Sequence, residues 1–126
     1  MIRNLVKFAL TIFLLLFFNV AKSQKSFIYN DPYRSYKFAQ ELYDKEKFSA
    51  AQSYFKDIID DIDNPQDEIR INAEYYFAVC ALKLYHQSVE TLLTRFVLDH
   101  PDHPKSKKVF LQLARHYYRT RKFTKA

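Results

Sequence analysis

The sequence predicts an all-α chain of antiparallel helix pairs, arranged as a repeat array behind an N-terminal signal helix. Three observations carry this. Glycine is absent from all 126 residues, although an average usage near 7% would give about nine. Apolar residues recur at three- and four-residue steps in segments set apart by proline and acidic residues, which is the helical pattern. The chain also matches itself: Ala39 to Ala51 (AQELYDKEKFSAA) and Ala114 to Ala126 (ARHYYRTRKFTKA) agree at Ala39/Ala114, Tyr43/Tyr118, Lys47/Lys122, Phe48/Phe123 and Ala51/Ala126. The offset of 75 residues between them is twice about 37, within the range of two-helix repeats.

The first element is a targeting segment. Arg3 and Lys7 give a basic start, Phe8 to Val20 (FALTIFLLLFFNV) is apolar, and Ala21 and Ser23 lie three and one before a cut ahead of Gln24. That layout is a secretory signal peptide over residues 1–23, followed by a short linker over 24–32. The apolar run is shorter than the roughly 20 residues a bilayer span needs, which disfavours the competing reading of a retained anchor. With no cysteine directly after the run, a lipoprotein is disfavoured too. The protein is expected to be exported, to the periplasm or in association with an outer membrane.

Asp31-Pro32 opens the next element, with aspartate as cap and proline in the first turn. Tyr36, Ala39, Leu42 and Tyr43 then make one apolar stripe to about Lys45. A second helix starts near Phe48, and Ala51, Tyr54, Phe55, Ile58, Ile59 and Ile62 line its face. Asn64-Pro65 with Asp67 and Glu68 predicts a third helix over about Pro65 to Leu84, because cap, proline and early acids all favour an N-terminus. After Tyr85-His86 a fourth helix carries Val89, Leu92, Leu93, Phe96 and Val97. Pro101 and Pro104 end it. A fifth begins near Lys105 and shows Val109, Phe110, Leu113, Ala114, Tyr117 and Tyr118. Turns of a few residues between five helices imply an up-and-down layout.

Phe38-Ala39, Leu42, Phe48, Ala51 and Phe55 in the first unit, and Phe110, Leu113-Ala114, Tyr117, Phe123 and Ala126 in the third, resemble tetratricopeptide repeats. The units fall at about 33–63, 65–101 and, incomplete, 104–126. In that family small residues let two helices approach while large ones fill the gaps. The resemblance therefore implies that Ala39, Ala51, Ala114 and Ala126 are the close contacts. The second unit departs from the pattern, with Ser88 or Val89 where alanine is expected. The turn from His100 into a helix with paired tyrosines is similar to repeats of exported bacterial envelope-assembly proteins. The implied fold is a curved solenoid whose concave face binds a peptide or protein.

Competing chemistry is weak. Cys80 lies in the apolar run YYFAVCAL and reads as a small buried hydrophobe. His100 and His103, with Asp99 and Asp102, suggest zinc, but a zinc site needs three or four converging ligands, and Pro101 and Pro104 fit a rigid turn. The cluster Asp57, Asp60, Asp61 and Asp63 lacks the glycine and distal glutamate of a helix-loop-helix calcium site. No cofactor, metal or catalytic constellation is expected.

Charge is uneven. Asp31 to Glu68 holds ten acids against five bases, whereas Lys105 to Lys125 holds eight bases and no acid. A basic helix with tyrosines can bind phosphates, but export argues against nucleic acid. The expected function is a non-catalytic scaffold or adaptor whose partners are other envelope proteins or peptides. The alternative is an N-terminal interaction arm of a longer exported enzyme or receptor. Because the third unit reads as half a repeat, the chain is expected to be a fragment that self-associates through an uncapped C-terminal helix.

Overall fold

The computed structural model describes Met1, Ile2 and residues 31–120. The expected signal segment, apart from its first two residues, and Phe123 and Ala126 lie outside the described residues. Five helices run through the described part: α1 Pro32–Asp44, α2 Phe48–Asp61, α3 Glu68–Lys83, α4 Val89–Asp99 and α5 Pro104–Arg119. No strand occurs among the described residues, and no helix there is long and apolar enough to cross a membrane.

Each odd-numbered helix starts on a side-chain cap. Asp31 Oδ1 accepts from Tyr33 N–H at 3.0 Å, Asp67 Oδ1 from Ile69 N–H at 2.8 Å, and His103 Nδ1 from Lys105 N–H at 3.3 Å. These bonds satisfy first-turn donors that have no partner inside the helix. The three helices begin at residues 32, 68 and 104, an even interval of 36.

The expected start of the third helix at Pro65 is corrected to Glu68. Asn64 caps a turn instead of the helix: its side chain accepts from Gln66 N–H at 3.0 Å, and its carbonyl from Asp67 N–H at 3.1 Å. Asp67 then takes over as the helix cap, and the acid of the first turn is Glu68.

The ends of α1 and α3 share one device. After α1, Lys47 N–H donates to Leu42 O at 2.9 Å and Glu46 N–H to Tyr43 O at 2.9 Å; after α3, His86 N–H reaches Ala81 O at 3.0 Å and Tyr85 N–H reaches Leu82 O at 3.3 Å. This double closure requires a left-handed residue just beyond the cap, normally glycine. With no glycine in the chain, Glu46 (φ 58°) and Tyr85 (φ 57°) occupy that conformation.

Packing runs along the chain: each helix contacts the next, and α1 also touches α3. Two apolar clusters result. Ala39, Ala51, Phe55, Ile58, Ala73 and Cys80 form the first, between α1, α2 and α3. Ile71, Tyr75, Ala78, Val79, Val89, Leu93, Phe96, Val109 and Leu113 belong to the second, across α3, α4 and α5. Helix α3 supplies both, which is why its apolar residues surround it instead of lining one stripe.

Of the residues read as packing contacts, Ala39, Ala51 and Phe55 are fully buried, and Leu42 and Phe48 pack partly buried against them. Leu113 is buried in the second cluster, with Tyr117 packed against it, and Ala114 is half-buried. Phe110 is a correction. It is 59% exposed, because α5 buries Val109 and Leu113 against α4 and α3 and turns the residue beside Val109 outward. Tyr118, at 70% exposed, lies outward for the same reason. Where the second unit departs from the pattern, Val89 is buried in the second cluster and Ser88 is exposed.

Polar ties fix the helix ends. Arg70 of α3 donates to the Ile62 carbonyl that ends α2 and, through Nε, to Glu74 at 3.1 Å. The other Glu74 oxygen holds buried His100 Nε2 at 2.7 Å, and the His100 carbonyl accepts from Ser106 Oγ at 2.5 Å. One chain of bonds thus links the ends of α2 and α4 to α3 and α5. A buried imidazole and hydroxyl are tolerated because each has a partner.

Candidate binding groove

The C-terminal half of α3, the turn after it and the C-terminal half of α5 enclose an open groove of about 930 Å³. Val79, Leu82, Val89 and Ala114 supply apolar wall. Around them stand Lys83, His86, Arg115, His116 and Arg119, and no acidic residue lines the groove among the described residues. None of these five bases takes part in an ion pair among the described residues.

The left-handed turn at Tyr85 projects its ring outward, 76% exposed, where it meets α5. Arg119 donates to the Tyr85 hydroxyl at 3.0 Å, and its guanidinium carbon lies 5.3 Å from the ring centroid. An arginine stacked on an aromatic ring is held in place while its remaining donors stay free.

Towards the start of α5 the same two helices hold a second cluster. Lys105 Nζ lies 4.9 Å from the Tyr75 ring centroid and 4.7 Å from that of Tyr76, and it donates to Asn72 Oδ1. Burial pushes the Lys105 ammonium down to about 8; the Glu68 carboxylate opposes this and Lys108 adds to it. Glu68 itself is held below the usual carboxylate range, first by the Asn72 side chain and then by His103. Gln112 Nε2 donates to the Tyr75 hydroxyl at 3.3 Å, while its Oε1 is buried without a hydrogen-bond partner among the described residues. Gln112 lines the groove as well, so the two clusters adjoin.

No family model, curated protein or solved structure matches the chain. The functional reading therefore stands on the geometry and the internal repetition.

Among the described residues read as packing contacts, Ala114 alone lines the groove; Ala39, Ala51 and Phe55 lie in the first cluster. Cys80 is fully buried, and burial pushes its thiol up to about 12, so it stays protonated and unreactive. His100 and His103 do not converge on a metal geometry. His100 engages Glu74, His103 lies 3.4 Å from Glu68, and no group of three metal-ligating side chains forms among the described residues.

The sequence reading overlooked Asn72, Tyr75, Lys105 and Gln112 as a cluster. One signal could have found it. Lys105 and Asn72 are 33 residues apart, Gln112 and Tyr75 are 37, and Arg119 and Tyr85 are 34. Stacked repeats bring residues about one period apart face to face.

Proposed function

We propose that this chain is a non-catalytic helical-repeat scaffold of the tetratricopeptide type, exported to the bacterial cell envelope, that binds a protein or peptide along the groove between α3 and α5. The observation that carries the reading is the even interval of 36 residues between the capped starts of α1, α3 and α5. The repeated left-handed closure at Glu46 and Tyr85 supports it. A two-helix unit that recurs in sequence and in its turn geometry stacks into an array, and arrays of this kind work through extended surfaces.

The test uses the full chain in a bacterial host, with a photo-crosslinking residue placed at exposed Tyr118 beside the groove or at exposed Asp57 on α2. The processed protein should begin at or near Gln24, and Tyr118 should crosslink to a discrete envelope protein that Asp57 does not capture. A chain retained in the cytoplasm, or equal crosslinking from both sites, would overturn the proposal.

A further inference from the structure

The lining of the groove carries the scaffold reading one step further, to the chemistry of the ligand. We infer that the groove takes an extended acidic peptide segment in which a large apolar side chain is flanked by aspartate or glutamate. The inference rests on the scaffold reading, since it names the ligand of the same groove.

Two features of the lining select this class. Over buried Val79 and Val89, half-buried Leu82 and the exposed Tyr85 and Tyr118 rings give the groove accessible apolar surface, and such surface gains from covering an apolar group. Lys83, His86, Arg115, His116 and Arg119 ring it with no carboxylate among them, and each is without an ion-pair partner among the described residues. An acidic segment is the complement of that charge, and Arg119, held against Tyr85, presents donors suited to a carboxylate. A nucleic-acid strand offers phosphates to the cations, but its backbone carries no apolar side chain to cover Leu82, Tyr85 and Tyr118.

The experiment measures fluorescence anisotropy on the full chain with four labelled probes. These are a short peptide with one phenylalanine between runs of Asp and Glu, the same peptide with serine for phenylalanine, the same peptide with lysine for the acids, and an oligothymidine. The first probe should bind saturably and weaken with salt. Arg115→Glu or Arg119→Glu should weaken it by about tenfold or more, the scale of a lost charge-assisted hydrogen bond. Lys107→Glu makes the same charge change on an exposed part of α5 that does not line the groove, and it should leave the affinity close to the parent's. Both arginines are exposed, and circular dichroism should show unchanged helix content in their variants.

Equal binding of the serine probe would remove the apolar anchor, equal binding of oligothymidine would make the site a phosphate site, and an equal loss in Lys107→Glu would reduce it to diffuse charge. Each result overturns the inference. If Tyr118 crosslinks to an envelope protein while the acidic probe does not bind, the ligand class falls and the scaffold reading stands. If the probe binds at Arg115 while Tyr118 captures nothing in the envelope, the ligand class stands and the scaffold reading falls.

Discussion

At Lys105 the fold holds an ammonium where water reaches it only in part. Two tyrosine rings and the Asn72 carbonyl oxygen surround it, and no carboxylate bonds to it directly among the described residues. Its folded value of about 8 lies below the ordinary 10.5, so between those values the unfolded chain binds more protons than the folded one. Stability then rises with pH across that interval, and below about pH 8 the penalty for burying the charge is present in full. Lys105→Met, which keeps the length and discards the charge, should therefore stabilise the protein at pH 7, with an advantage that shrinks by pH 9.5. Urea unfolding at the two pH values checks this, and an advantage that grows with pH would refute it. The range stops short of pH 10 for a reason. Burial pushes Tyr43 up to about 12 and raises Tyr36 as well, and groups with raised folded values lose their stabilising contribution as pH climbs above their unfolded 10.

Element boundaries show how much of the fold was legible in sequence. The stripes Ala39/Leu42/Tyr43 and Ala51/Phe55/Ile58 located α1 and α2, since an amphipathic period survives wherever a helix buries one side. The start of α3 was misplaced because Asn64-Pro65-Gln66 satisfies its donors in a turn of its own before Asp67 caps the helix. Phe110 was misassigned because the facing direction of adjacent residues in α5 depends on where α4 lies, which one helix's period does not fix. The closures after α1 and α3 were overlooked, as the usual glycine signal is absent. That absence makes a prediction. A non-glycine residue in the left-handed region costs roughly 1–2 kcal/mol, partly offset by glycine's greater freedom when unfolded. Glu46 is exposed and takes part in no ion pair among the described residues, so Glu46→Gly should stabilise by about 0.5–1 kcal/mol, read as an upward shift in Tm. The opposite change belongs to the α1–α2 contact. Ala51 has no exposed surface, and Ala51→Leu should overpack it at about 1–3 kcal/mol. An unchanged melting temperature would show that the site has room for the larger side chain.

On the scale of the whole molecule, α3 decides whether the helices behave as separate pairs or as one unit. It gives Ala73 and Cys80 to the first cluster and Tyr75, Ala78, Val79 and Ala81 to the second. Tyr76 packs against both, stacking on Phe55 with ring centroids 5.3 Å apart and planes 14° from parallel. The polar chain from Ile62 through Arg70 and Glu74 to His100 binds both neighbours of α3 to it as well. Loss of the first cluster should therefore loosen α3, and through it the second cluster and the groove. Phe55 is fully buried and belongs only to the first cluster, so Phe55→Ala tests the coupling from a distance. The truncation should cost about 3–5 kcal/mol. If α3 transmits it, native-state hydrogen exchange should show the slowest amides of α5, around Leu113, losing about as much protection as those of α2. If the amides of α5 keep their protection while those of α2 lose theirs, the pairs unfold independently, and the binding groove would then survive damage to the first cluster.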